Sequence, residues 1–323
     1  MRAKKWMYLM LREAGIGVAL VLICAIFAAT APHFASYGNF TNILTQISIN
    51  TVISVGMTFV ILLGGIDLSV GSVLALSTIV AGLTITNKAL PVGAAILLAV
   101  VASAVVGALC GLFNGFVSTR WKIHSFVVTL GMLNIARGAA LQISDSRTIF
   151  SFPAVFNRFG TETVFGIPII FIMALALVIL GSFVLNKTVF GRMLYAIGNN
   201  EEAVRLSGHN TSVYKITAFT LCGASVGVAG IMYMLRLNMA SPILGVGFEL
   251  NAIAAVVIGG TSMMGGKGSL IGTFLGASII GVLNNGLLLL GMGDFARQIV
   301  TGLIIVAAVV IDTYRAKLLV RFQ

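Results

Sequence analysis

Long apolar runs separated by short polar breaks make up almost the whole sequence. A helix of about 20 apolar residues crosses a hydrocarbon core roughly 30 Å thick. Dividing the runs at that length predicts about ten spans. The first covers about 14–31 and is ended by Pro32, with Asn39 as the expected cap of the next helix. Residues 43–86 are too long for one crossing and imply two spans or a broken pair. Further spans are expected at about 91–118, 125–143, 167–185, 216–235, from Glu249 to Gly259, 270–290 and 298–311. These runs leave little chain over, so residues 1–323 are expected to form a single all-α, polytopic transmembrane domain.

One stretch departs from this pattern. Residues 186–215, NKTVFGRMLYAIGNNEEAVRLSGHNTSVYK, are the most polar segment of the chain. In its middle, Asn199-Asn200 precedes Glu201-Glu202 and then Ala203-Val204-Arg205-Leu206. An amide cap ahead of carboxylates and good helix formers predicts a short helix, and Ser207-Gly208 supplies its stop. So short a helix between two spans buries little apolar surface of its own, which suits it to contact another protein.

The apolar runs carry few charged or amide side chains, and each invites a reading. Asp67 follows Gly64-Gly65 and precedes Ser69. An ionised carboxylate at the bilayer centre costs on the order of 2.5–3.5 kcal/mol on insertion scales. It is therefore expected either as a cap for the helix after the Gly64-Gly65 turn or as part of a polar path at a helix break. Asn251 and Glu249 open the eighth span, and the adjacent Asn284 and Asn285 sit in the ninth, where amides tie helices together or bind a hydroxylated solute. Arg137 lies near the end of the fifth span and is expected to snorkel. Gly107, Gly111 and Gly115 form a small-residue ridge at four-residue spacing, which predicts close helix packing. Residues 145–166 form the longest external connection. Two stretches from Gly64 and Gly265, GGIDLSVGSVLA and GGKGSLIGTFLG, share a pattern that hints at duplication.

Composition removes whole function classes. With 59% hydrophobic and 9% charged residues and a mean hydropathy of +1.07, the chain lies outside the range of soluble domains. The net charge of +11 would suggest nucleic acid in a soluble protein. Here 14 of the 20 basic residues fall on one side of the predicted topology, at Arg2, Lys4, Lys5, Arg12, Arg120, Lys122, Lys187, Arg192, Arg205, Lys215, Lys267, Arg315, Lys317 and Arg321. The positive-inside rule then makes that side cytoplasmic, together with both termini, and no nucleic-acid partner is expected. Cys24, Cys110 and Cys222 lie in separate runs without metal or redox spacing. Gly265-Gly266-Lys267-Gly268-Ser269 lacks the order of a phosphate-binding P-loop, so no nucleotide or other cofactor is expected on this chain and any nucleotide hydrolysis would have to come from another subunit.

The residues then resemble a known family. Gly65-Ile66-Asp67-Leu68-Ser69-Val70-Gly71, Gly191-Arg192, Ala196-Ile197-Gly198-Asn199-Asn200, Leu206-Ser207-Gly208, the run from Ala252 to Ser262, Gly265-Gly266-Lys267-Gly268 and Asn284-Asn285-Gly286-Leu287 are similar to the permease subunits of bacterial sugar importers of the ATP-binding cassette class, the group that includes the ribose permeases. The resemblance spans nearly the full length. It implies a type II importer-like homodimer, or a heterodimer with a second permease, of ten-helix subunits in the inner membrane. It also implies a cytoplasmic ATPase that holds ATP and Mg²⁺, and a periplasmic or tethered sugar-binding protein. By the resemblance, Asn200, Glu201, Glu202, Ala203, Arg205, Leu206 and Gly208 meet the ATPase, although His209 stands where a branched apolar residue is usual. Gly64, Gly65, Asp67, Ser69, Asn251, Asn284 and Asn285 are the candidates for the translocation path or its helix breaks. The alternatives are an ion-coupled secondary transporter, which would use Asp67, and a membrane enzyme, for which the chain offers no nucleophile and base pair.

Overall fold

The computed structural model describes residues 2–321, with side chains between Glu13 and Val310 apart from 305, 308 and 309. The basic residues counted at the two ends of the chain, from Arg2 to Arg12 and from Arg315 to Arg321, therefore lie outside the described side chains. The described chain forms α1 (Arg2–Thr30), α2 (Tyr37–Leu62), α3 (Val70–Ile85), α4 (Val92–Arg120), α5 (Ser125–Ile143), α6 (Ala154–Thr161), β1 (Thr163–Val164), β2 (Ile167–Pro168), α7 (Ile169–Lys187), α8 (Val189–Leu206), α9 (Thr211–Leu237), α10 (Phe248–Ile258), α11 (Leu270–Leu289) and α12 (Asp294–Arg321). The two strands make one small antiparallel hairpin in the long connection after α5, beside the short helix α6.

Seven helices among the described residues are long and apolar enough to cross a membrane: the apolar part of α1, then α2, α4, α5, α7, α9 and α11. Of these, α2, α9 and α11 are mostly buried, whereas α1, α4, α5 and α7 turn most of their residues outward. Outward faces built from Leu97, Val101, Leu109, Phe113, Ile179 and Phe183 suit acyl chains. Inside, Ile53, Met57, Ile61, Leu74, Ile79 and Met232 are fully buried in one central cluster.

Hydrophobic association is weak between helices already in lipid, so close backbone approach has to do the packing. The ridge on α4 does so against α9. A Cβ at Gly107 would collide with the carbonyl of Gly223, and one at Gly111 with the carbonyl of Phe219. The relation is reciprocal, because a Cβ at Gly223 would strike the carbonyl of Gly107.

Residues 43–86 take the second of the two expected forms, a broken pair, and the expected eighth span is corrected to a partial helix. Helix α3 has 16 residues and α10 only 11, so at a rise of 1.5 Å per residue they are about 24 and 17 Å long and fall short of the bilayer. Each follows a non-helical lead-in, residues 63–69 before α3 and 238–247 before α10. Such backbone is tolerated inside a bundle only when other groups satisfy it. One face of α5 supplies many of those partners. Ser125 Oγ accepts from the Ile66 N–H at 3.2 Å, and Thr129 Oγ1 accepts from the Leu68 N–H at 3.2 Å. Two turns further on, Arg137 donates to the carbonyl of Leu244 at 2.8 Å and to that of Pro242. Arg137 thus holds the second lead-in and does not snorkel.

A second correction concerns the start of α2. Its cap is Ser36, whose hydroxyl accepts from the Asn39 N–H, and Asn39 itself lies within the helix. The Asn39 side chain reaches Asn285 on α11, the two amides exchanging bonds of 3.0 and 2.9 Å.

Candidate coupling and translocation site

The polar segment is more helical than its sequence suggests. Helix α8 begins at Val189, capped by Thr188, and runs to an interruption at Asn200, where the backbone is extended (φ −160°, ψ 95°). Asn200 Oδ1 accepts from the Ala203 N–H at 3.0 Å, so the expected amide cap starts a second short helix at Glu201. Gly208 ends it with φ +85°, a left-handed conformation that side chains disfavour. The helix ahead of Asn200 was not read from the sequence, since its apolar residues are interleaved with Gly191, Arg192 and Gly198.

The two carboxylates of the short helix have different jobs. Glu201 is half-buried and turns back onto α9, accepting from Thr211 Oγ1 at 3.1 Å and pairing with Lys215 Nζ at 2.5 Å. Glu202 faces solvent and pairs with Arg205 Nε at 2.9 Å. Hydrogen bonding to Arg205 holds the Glu202 carboxyl below its usual range, with Lys122 adding to the effect, and the same pair raises Arg205. Ala203 and Leu206 are also exposed, Leu206 by 74%. The outer face therefore carries an ion pair beside an apolar side chain, while Glu201 and buried Val204 fasten the inner face.

The first half of α8 is bolted to the second double-glycine turn and packs on the end of α2. Tyr195 OH donates to the Gly268 carbonyl at 2.9 Å, and Asn199 Nδ2 reaches the Gly266 carbonyl at 3.3 Å. The Gly266 N–H in turn donates to the Leu62 carbonyl, at 2.9 Å, where α2 ends. Gly198 sits in this junction so closely that a Cβ would collide with the Leu62 carbonyl. Gly64 and Gly265 both adopt positive φ, and a Cβ on Gly265 would lie 3.0 Å from Gly64 N. The two stretches that share a pattern thus meet at one end of the bundle, each a turn ahead of a helix.

The seven path candidates separate into three groups. Gly64 and Gly65 form the turn, with Gly65 packed on Phe219 and Ser125. Asp67 and Ser69 belong to a buried cluster: Asp67 Oδ1 accepts from the Ser69 N–H at 2.9 Å and Ser69 Oγ at 2.6 Å, and Ser69 Oγ accepts from Asn114 Nδ2 at 3.0 Å. Ser69, not Asp67, occupies the cap position of α3, so Asp67 steadies the lead-in without capping the helix. Asn285 ties α11 to α2 through Asn39, whereas its neighbour Asn284 points elsewhere.

Asn284 and Asn251 meet at a cavity of about 190 Å³ between α2, α9, α10 and α11. Gln46, Asn50, Tyr233 and Arg236 also line it. None of these four was singled out from sequence, because single polar residues inside apolar runs give no sign of convergence. Among the described residues no group of three or more His, Cys, Asp or Glu side chains could hold a metal.

Comparison with known proteins bears on what this arrangement serves. A family model described as the permease component of the branched-chain amino acid transport system matches residues 39–309. The chain belongs to the permease family of bacterial ABC importers. The permease is 42% identical over 302 residues to the ribose import permease protein of Haemophilus influenzae, covering 92% of each chain. It is 41% identical over 306 residues to the corresponding protein of Bacillus subtilis, covering 94% of this chain and 93% of that one. To the D-allose transport system permease protein of Escherichia coli K12 it is 37% identical over 300 residues, covering 92% and 90%. No solved structure matches the permease. As an importer permease it is not itself catalytic and works with an ATPase and a binding protein, which excludes the ion-coupled and enzymatic alternatives.

Proposed function

We propose that this permease admits a monosaccharide through a bundle of ten membrane segments per subunit, paired as a type II-like dimer, with both termini and α8 on the cytoplasmic side. Ten segments are reached by counting α3 and α10, each with its lead-in, and α12. The sugar class follows the relatives, whose names specify ribose, D-allose and L-arabinose. The observation that carries the coupling assignment is the two-sided build of residues 200–208. Its exposed face offers Glu202, Ala203, Arg205 and Leu206 to the ATPase, and its lead-in is fixed to the Leu62 and Gly266 junction. A push on the exposed face reaches the end of α2 and the turn ahead of α11 through packed backbone, the kind of two-state contact by which alternating access operates. The assignments of Asn200, Glu201 and Gly208 are the cap, the tether to α9 and the stop.

The test is ATP-driven uptake by the permease reconstituted in vesicles with its ATPase and binding protein, using radiolabelled ribose, allose and arabinose. Uptake of one of them, together with loss of ATPase co-purification when Glu202, Arg205 and Leu206 are all replaced by Ser, is the expected result. Retention of the ATPase by the triple variant removes the coupling assignment. Failure to take up any of the sugars removes the substrate class.

A further inference from the structure

A second cavity, of about 250 Å³, has the opposite chemistry to the first: every side chain that lines it is apolar. Its walls include Val100 on α4 and Met173 on α7, and its floor is Val228, Ile231 and Leu235 on α9. The roof is the short helix α6. Its apolar residues Val155, Phe156 and Phe159 fall on one face, and Asn157, Arg158 and Thr161 on the other. That is the build of a helix lying in the membrane–water interface. A Cβ at Gly160 would collide with the Leu235 carbonyl, so α6 rests directly on the last turn of α9. Val100, Val155 and Phe159 are exposed as well as lining the cavity, so it opens sideways between α4 and α6.

We propose that this cleft holds one acyl chain of a membrane phospholipid. Its mouth is continuous with the lipid-facing surface of α4, where exposed Leu97 and Val101 flank the wall. The depth matches a single leaflet. From Val228 to the end of α9 at Leu237 is about 14 Å at a rise of 1.5 Å per residue, roughly half of a hydrocarbon core about 30 Å thick. A chain entering beneath α6 therefore runs toward the bilayer centre in the leaflet opposite α8, parallel to its neighbours in the membrane. Its headgroup stays at the level of Asn157 and Arg158, on the polar side of α6. A wall of hydrocarbon excludes water and favours an apolar guest, which rules out a sugar or an amino acid here. Arg158 is engaged by Glu162 at 3.1 Å, so the mouth presents a balanced pair and not a lone cation. An esterified chain suits that mouth better than a fatty acid with a free carboxylate.

The site does not depend on which solute the importer carries, and its test reads lipid, not uptake. The complex of permease and ATPase is reconstituted in vesicles of phosphatidylethanolamine and phosphatidylglycerol. A trace of the phosphatidylethanolamine carries a diazirine near the end of one acyl chain. The complex is then extracted into detergent, washed free of loosely held lipid, illuminated, and digested for mass spectrometry. Label is expected at residues 96–100 and 228–235, severalfold above residues 105–113 of α4, which turn Val105, Leu109 and Phe113 outward. Replacing Val100→Phe and Val228→Phe together, which fills the cleft, should lower that label severalfold. Equal label on the two regions, or label lost on washing, overturns the site. So does undiminished label in a double variant that still binds the ATPase; if the double variant fails to assemble, the wild-type distribution decides alone. A fatty acid bearing the same diazirine is run in parallel, and labelling of the cleft by the free acid but not by the phospholipid overturns the phospholipid assignment.

Discussion

At the scale of single residues, Asp67, Ser69 and Asn114 bond to one another in the lead-in to α3, and Asn114 Oδ1 is left without a partner among the described residues. Asp67→Ala would strand the Ser69 N–H and hydroxyl, and is expected to cost about 1–3 kcal/mol, seen as a lower thermal transition of the detergent-purified protein. Asp67→Asn keeps an acceptor and should cost less; an Ala variant as stable as wild type would remove Asp67 from this role. Glu201 and Glu202 are neighbours in sequence with opposite duties. Glu201→Ala frees the short helix from Thr211 and Lys215. It is therefore expected to weaken the link between ATP hydrolysis and uptake while the ATPase still binds. Glu202→Ala alters only the outer face, so it should weaken ATPase binding and leave the melting temperature unchanged. Identical behaviour of the two variants in both assays would contradict that division. Sequence made Asp67, Ser69, Glu201 and Glu202 conspicuous, through the helix break and the polar segment, but not Asn114. It did not say which were already satisfied, since partners such as Asn114 lie 45 residues from Ser69.

Between elements, the closest contacts are backbone on backbone. Gly111→Leu or Gly223→Val would force α4 and α9 apart, and overpacking of this kind costs typically 1–3 kcal/mol or more. Both variants should accumulate poorly in the membrane on immunoblots, whereas Gly93→Ala, which meets nothing within 4 Å, should accumulate normally. Gly198→Ala probes a different contact, the one joining α8 to the end of α2 and the second glycine turn. It is expected to cut uptake severalfold with the ATPase still bound and active, the mark of broken transmission. Normal uptake by that variant would show the junction to be packing alone. The ridge on α4 was legible, because four-residue spacing of glycine has one physical use. The partner face on α9 was not singled out, although Gly223 and Gly227 share that spacing, because spacing alone does not say which helix packs against which. Nor was the face of α5 that serves both lead-ins, because Ser125, Thr129 and Arg137 share a side only once the helix is formed.

For the whole molecule, orientation is the open variable. Single cysteines at Gly208 and Lys267, both exposed at the α8 end, should label only from the cytoplasmic side in intact cells. Cysteines at Lys88 and Phe165, exposed at the opposite end, should label only from outside. Labelling of all four from one side would overturn the topology. Chemical cross-linking followed by mass measurement should give twice the mass of one chain for a homodimer.

What the sequence determined by itself was the environment and the class of the protein. Hydropathy and run length require a polytopic helical bundle whatever the packing, and the polar segment with its amide cap and glycine stop is local chemistry that survives translation into structure. Tertiary structure alone decided between two spans and a broken pair for residues 43–86, and showed that α10 is a partial helix, that Arg137 holds a lead-in, that the two double-glycine turns touch, and that six separated polar residues share one cavity. The reason is physical. A transfer free energy belongs to a residue and can be summed along the chain, whereas satisfying a buried hydrogen bond needs a partner whose place is set only when the helices have packed.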